Sequence, residues 1–326
     1  MILNRIPFRN INLLCYGALQ VIVYRQKCIT DILESKKFTF SAEVFPPRNG
    51  KPASIIMEKL EALSQMPIDF ISVTKGAMGS MRGGTVPIGY MIPDRYKMNA
   101  LVHFRCRDTN RREVENLLVD HMYFGTRNIL AVLGDPLPGE KEKKLVPSTH
   151  NRYASDLVKQ IADMNRGYYL PLENDSSEFR QGMKTDFCIG VACYPEAEDL
   201  DKELFVIGEK VGAGANFAIT QMVFDADAYS DYVKELRNRK IEMPIIPGVR
   251  PVACIDHVKA AEKVFHANVP PELKKALKNS TAKNANRICL DFTVNLIDGL
   301  KKVGAPGVHL FTLNDVEMLA DILENI

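Results

Sequence analysis

From residue 38 onward the chain alternates between two hydrophobic patterns. Short apolar or alternating segments, rich in β-branched and aromatic residues, recur at 38–45, 69–74, 99–106, 127–133, 186–193, 216–221, 243–248 and 307–312. Their length and composition predict eight buried strands. Between them, apolar residues return at helical spacing over 52–66, 111–124, 151–164, 199–213, 225–239, 254–266, 271–279 and 283–303, and 315–325 follows the last strand. The 111–124 segment shows the logic. Val114, Leu117, Leu118 and Met122 share one face, Asn110 and Glu113 stand at capping-box spacing, and Gly125 marks the stop. Strand–helix alternation predicts a parallel sheet, and eight units predict its closure into a single-domain (β/α)8 TIM barrel, an α/β fold. An open doubly wound sheet is the alternative, but no GxGxxG follows any strand.

Three connections stand apart. Residues 76–98 are glycine-rich and weakly helical, as suits a ligand-contacting or simply exposed loop, and 138–151 and 166–184 read as flexible insertions beside the fourth and fifth strands. Residues 1–28 form an N-terminal extension ahead of the barrel at 29–326. In it Arg5 and Arg9 precede the apolar run 11–23, the shape of a secretory signal. Asn12 and Gln20 interrupt that run, so an extra helix or an upstream start codon reads equally well.

Composition adds exclusions. With 326 residues, 46% hydrophobic and 25% charged, the chain is an ordinary globular protein. The net charge is +2, and 1–28 carry Arg5, Arg9, Arg25 and Lys27 with no acid, so subtracting +4 leaves −2 on the body. Such a body has no electrostatic ground for binding nucleic acid or an anionic membrane. Seven scattered cysteines include no CxxC pair or zinc-ligand cluster, so no metal is expected and reduced thiols in a cytoplasmic protein are.

Barrel chemistry gathers at the carboxyl ends of the strands. In the first strand Thr39, Ser41 and Glu43 alternate with the apolar set Phe38, Phe40, Ala42 and Val44. If the polar set faces inward, Glu43 sits near the top, where partial desolvation would keep it protonated as a general acid; pairing with Arg48 or another cation is the plainer alternative. Thr74 closes the second strand, His103 lies in the third, Gly134-Asp135 follow the fourth and Gln221 closes the sixth. Singly, His103 reads as a bonded core histidine, Asp135 as a turn former, and Thr74 and Gln221 as backbone partners. Their convergence on one rim points to a site.

The strings SAEVFPPR (41–48), ISVTKGAMGS (71–80), LAVLGDP (130–136), RYASDLV (152–158), VACYPE (191–196), GANFAITQMVFD (214–225), IIPGVRPV (245–252) and HLFTLN (309–314), in this order from about residue 29 to the end, resemble the bacterial flavoprotein type of 5,10-methylenetetrahydrofolate reductase. The resemblance implies a noncovalent FAD in a (β/α)8 barrel, NADH or NADPH as hydride donor, and ping-pong reduction of 5,10-methylenetetrahydrofolate to 5-methyltetrahydrofolate, a step of one-carbon and methionine metabolism. It implies Glu43 as the acid that opens the folate ring, Asp135 as the charge that favours the resulting iminium, and Gln221 as a substrate-binding residue. Flavin contacts would come from Thr74, His103, Gly134, Asp135, Tyr153, Ala154, Ala192, Tyr194 and Lys210. The family often forms homo-oligomers.

The chain departs from the family in places. Leu133 stands where many members have arginine, and the segment after Glu196 is shortened, which removes a flavin-contacting histidine. Val206 and Glu209 replace polar and basic residues, bearing on flavin affinity; Ala261 replaces an aromatic and Asp315 a basic residue, bearing on the folate. A flavin- or folate-binding subunit that depends on an electron-transfer partner, or lacks activity of its own, is the alternative. The retained Glu43, Asp135 and Gln221 speak against it, since a binding remnant has no use for the acid.

Overall fold

The computed structural model of the chain describes residues 26–135, 147, 149–172, 178–312 and 315–326. The apolar run at 11–23, Cys15 and most of 138–151 lie outside the described residues. Along the chain come α1 (Ile29–Ser35), β1 (Thr39–Val44), α2 (Ser54–Ser64), β2 (Phe70–Val73), α3 (Thr85–Tyr96), β3 (Asn99–Arg105), α4 (Arg111–Tyr123), β4 (Asn128–Val132) and α5 (Ala154–Asn165). There follow β5 (Tyr168–Tyr169), β6 (Arg180–Gln181), β7 (Cys188–Cys193), α6 (Leu200–Ala213), β8 (Phe217–Met222), α7 (Ala226–Asn238) and β9 (Ile245–Val249). The chain ends with α8 (Ile255–Phe265), α9 (Pro271–Lys278), α10 (Ala282–Lys302), β10 (Gly307–Leu310) and α11 (Val316–Glu324).

Eight parallel strands close into a barrel in the order β1-β10-β9-β8-β7-β4-β3-β2. These are the eight segments read from the sequence. Alternation assigns their faces. Ala42, Val44, Ile71, Val73, Ile129 and Ala131 pack outward among the helices, whereas Phe70, Leu101, Leu130, Phe217, Ile219 and Ile246 fill the interior. The inward set begins with the buried polar Thr39, Asn99 and Asn128 at the strand starts, is apolar through the middle, and turns polar again toward the carboxyl end, where Glu43, Ser72 and His103 continue the same rows. Small residues make room for large ones inside. An added Cβ at Gly190 would lie 2.4 Å from Phe217 Cζ.

The bottom of the barrel is closed by α1, which the sequence patterns do not reveal. Ile29, Ile32 and Leu33 insert into the interior cluster. Ile29 N donates to Asn128 Oδ1 (3.0 Å), and Lys27 N to Asn99 Oδ1 (2.9 Å). Gln26, buried, accepts from Ala100 N at 2.9 Å and donates to Gly125 O at 2.8 Å. Residues 26–28, placed by the sequence reading in the extension, thus satisfy strand-start groups of β3 and β4 that would otherwise be buried without partners.

Asn110 caps α4 by accepting from Glu113 N at 3.0 Å. The glycine-rich 76–98 connection carries α3 as a full helix. In the 166–184 insertion β5 and β6 pair antiparallel, and Arg180 forms an ion pair with Glu115 of α4. Among the described residues the cysteines are free, no helix is long and apolar enough to cross a membrane, and no group of three or more His, Cys, Asp or Glu is placed to hold a metal ion.

Candidate active site

A cavity of about 580 Å³ opens at the carboxyl end of the barrel, within the range of small-molecule sites. Glu43 forms part of its floor. Period two along β1 aims it inward above Ser41, and its carboxyl is nearly sealed from water. Burial pushes the Glu43 pKa up to about 8, so the group holds its proton at neutrality. His103 Nε2 lies 3.6 Å from Glu43 Oε2 and 2.6 Å from Ser72 Oγ. The first separation is too long for a charge-assisted bond. Burial also pushes His103 down to about 4, so the pair is neutral and no cation claims the acid's proton. Pairing with Arg48 does not form.

His309, which the sequence pattern does not single out as a site residue, completes the floor. Ser41 Oγ donates to Val308 O (3.1 Å) and lies 2.8 Å from His309 Nδ1. A serine has one proton to give, so Nδ1–H donates to Ser41 and Nε2 carries the lone pair. That Nε2 is buried with no partner among the described residues. Burial, and then His103, push His309 down to about 3. The ring stacks on Phe70 and meets Phe311 edge-on at 5.2 Å. Its signal was present as a polar residue two positions from Phe311 in an apolar strand.

Gln221 is re-aimed by a bulge. Ile219 pairs with Ile246 and Met222 with Gly248, so β8 spends one residue more than β9. The Gln221 side chain lines the cavity, and its Oε1 accepts from Met222 N at 2.9 Å. Gly134 and Asp135 line the β4 rim. Gly134, at φ +94°, has the turn that glycine permits, and an added Cβ would meet Arg105 Cδ at 3.0 Å.

A cationic cluster occupies the rim beyond β2 and β3, also unread in the sequence. Arg107 Nε donates to Gly134 O at 2.8 Å, Arg105 reaches Asp108 at 2.5 Å, and Lys75 Nζ sits 4.5 Å from the Phe104 ring centroid. Burial, and then Arg105, hold Lys75 below the ordinary lysine range. Leu133 lines the cavity beside this cluster, its carbonyl accepting from Arg107 N at 3.0 Å.

Of the residues singled out in the sequence, Glu43, His103, Gly134, Asp135, Ala192, Tyr194 and Gln221 line this one cavity. Thr74, Tyr153, Ala154 and Lys210 are not among its lining residues. Thr74 follows β2, buried, with its hydroxyl unpartnered among the described residues. Lys210 lies behind the wall, where its Nζ donates to Ala192 O at 2.7 Å. Tyr153 and Ala154 start α5, with Asp156 Oδ2 accepting from Tyr153 N. Two departures change meaning in three dimensions. Glu209 neighbours Lys210 in sequence but faces solvent. Ala261 is fully buried in the cluster of Met222, Phe224 and Val258 and does not line the cavity; Ala260, Val264 and Phe265 are the α8 residues that do.

The family model and the curated relatives agree on one family, and a solved structure shares the fold. The methylenetetrahydrofolate reductase family model matches residues 28–326. The 5,10-methylenetetrahydrofolate reductase of Escherichia coli (strain K12) is 28% identical over 284 residues, covering 85% of this chain and 87% of that protein. A probable methylenetetrahydrofolate reductase (NADPH) of Caenorhabditis elegans is 27% identical over 316 residues, 91% of this chain and 43% of the relative. The fold is shared with an uncharacterized protein from Clostridium thermocellum solved with two copies of 5-methyl-5,6,7,8-tetrahydrofolic acid, at TM-score 0.60 and 16% identity over 92% of this chain and 100% of that one.

Proposed function

We propose that this chain, which belongs to the methylenetetrahydrofolate reductase family and is an oxidoreductase of that type, carries a noncovalent FAD and reduces 5,10-methylenetetrahydrofolate with NADH or NADPH in a ping-pong cycle. The observation that carries the reading is Glu43: a buried carboxyl, protonated at neutrality, with only the neutral His103 beside it among the described residues, at the floor of the cavity. The Clostridium thermocellum protein, with a folate bound in the same fold, is in keeping with it.

The residues present fit a flavin. Gly134 offers a side-chain-free approach to the rim, and Arg107 and Lys75, which line the cavity, offer positive charge for a diphosphate. FAD, when bound, supplies hydride acceptance and delivery. The protein's own groups do the rest. Glu43 delivers its proton to the folate ring nitrogen as the five-membered ring opens, Asp135 on the rim stabilises the positive charge of the iminium, and Gln221 orients the ring that occupies the cavity. The neutral His309 Nε2 accepts a hydrogen bond from whatever donor reaches the floor.

The reading is tested by isolating the protein anaerobically. It should be yellow, bleach on addition of NADH or NADPH, and regain colour with 5,10-methylenetetrahydrofolate. A colourless protein that binds no added FAD, or a flavin bleached by reduced ferredoxin alone, overturns it.

Two further results are expected. The acid must be protonated to act, so the folate half-reaction should fall as pH rises through about 8, while bleaching by the nicotinamide should not follow that titration. Arg107→Met should lower flavin retention through desalting, with a rise in the FAD dissociation constant of about tenfold or more, the size of one charge-assisted bond. The flavin-to-protein absorbance ratio reports it, and an unchanged ratio would remove the cluster from the flavin site.

A further inference from the structure

Arg250, the residue after β9, lines the cavity wall and is 9% exposed. Among the described residues no carboxylate pairs with it and no acceptor takes a hydrogen bond from it. Its Nε is buried without a partner, and its one contact of note is the Phe265 ring, 5.9 Å from the guanidinium carbon. Arginine cannot shed its proton, and a buried charge without a counter-charge is strongly unfavourable. A ligand that brings a negative group to this wall offsets that cost.

The barrel order says which ligand. Strand β9 lies between β8, which carries Gln221, and β10, which leads to Phe311, and it stands across the mouth from β3 with Arg105 and Arg107. Gln221, Met222, Val264, Phe265 and Arg250 all line this cavity, and Phe265 is the ring beside the Arg250 guanidinium. An aromatic segment linked to a glutamyl group, whose carboxylates lie at the far end of the molecule, matches an apolar wall that carries a single planar fork. A diphosphate spreads charge over many oxygens and matches the cluster opposite. Asp315, where the family has a basic residue, accepts from Met318 N at 3.1 Å as the cap of α11 and offers an anion nothing.

We infer that Arg250 seats a carboxylate of the folate's glutamyl tail, making it a specificity-determining residue of this chain and moving the tail's cationic partner from the start of α11 to the end of β9. The inference rests on the folate reading proposed above.

Its test compares 5,10-methylenetetrahydrofolate with the analogue whose two glutamyl carboxylates are amides, in wild type, Arg250→Met and Arg250→Lys. Wild type should prefer the acid by about tenfold or more in KM. Arg250→Met should lose that preference by weakening the acid alone, Arg250→Lys should keep part of it, and bleaching by the nicotinamide should be unchanged. Equal use of acid and diamide by wild type, or an Arg250→Met effect confined to the nicotinamide, overturns the inference. Equilibrium binding of tetrahydrofolate and its diamide reads the same preference without turnover. Absent turnover sinks the folate-reductase reading, whereas turnover without a tail preference sinks only the seat.

Discussion

Replacing Glu43 by Gln should slow reoxidation of the reduced flavin by 5,10-methylenetetrahydrofolate by ~10²–10⁴, the usual weight of a general acid and about 3–5 kcal/mol of barrier. Glutamine keeps the size and hydrogen-bonding capacity but has no proton to give at neutral pH. Bleaching by NADH or NADPH needs no acid and should proceed nearly unchanged. Stopped-flow traces of the two half-reactions separate the cases: slowing of both would make Glu43 a support for the flavin or the fold, and slowing of neither would make it an ordinary strand-end charge.

Stability should move the other way. The folded protein keeps a proton up to about pH 8 that the unfolded chain releases above about 4.5, so the folded state binds the extra proton between those values. Wild-type stability therefore falls as pH rises through this window, by at most roughly 5 kcal/mol from this group. Glu43→Gln has no such loss. Its melting temperature should exceed that of wild type more at pH 8.5 than at pH 5, and a gap that does not widen would place the carboxyl in contact with water.

Gly248→Ala should be among the most damaging single-methyl additions to this protein. The new Cβ would lie 2.4 Å from Phe311 Cε2 and 2.5 Å from the backbone oxygen of Thr220. The ring can rotate away only by entering the cavity, and the carbonyl belongs to the β8 strand at its bulge. Gly248 N also accepts no freedom to shift, since it donates to Thr220 Oγ1 at 2.9 Å. The expected cost is ~3 kcal/mol, at the upper end of overpacking, or a fall in Tm of about 6–12 °C. Gly212→Ala is the matched control. It lies inside α6 with nothing within 4 Å of an added Cβ, and should raise stability by ~0.5–1 kcal/mol. Thermal melts of the two variants should shift in opposite directions, and a neutral Gly248→Ala would mean that β8 and β9 are not held at this separation.

The local pattern determined the strands, most of the helices and the face of each. Alternation in β1 already separated Ser41 and Glu43 from Ala42 and Val44, because a side chain's face follows from its backbone period and its apolarity from its own composition. The Glu43, Asp135 and Gln221 positions were legible for the same reason: each is a polar residue at the carboxyl end of an apolar strand. What the sequence could not determine was which of these ends meet, and with what around them. The α1 plug escaped notice because seven residues make too short a period to read, and its partners Asn99 and Asn128 lie about 70 and 100 positions away. Arg250 and His309 read as ordinary members of their segments until barrel closure left one without a counter-charge and the other without a partner for Nε2. Ala261 and Glu209 looked like neighbours of the ligand, but helix rotation of about 100° per residue turns adjacent positions to different faces. Charge, burial and pKa at the site are properties of what surrounds a group on all sides, and those surroundings come from strands far apart in the chain, so tertiary structure alone decided them.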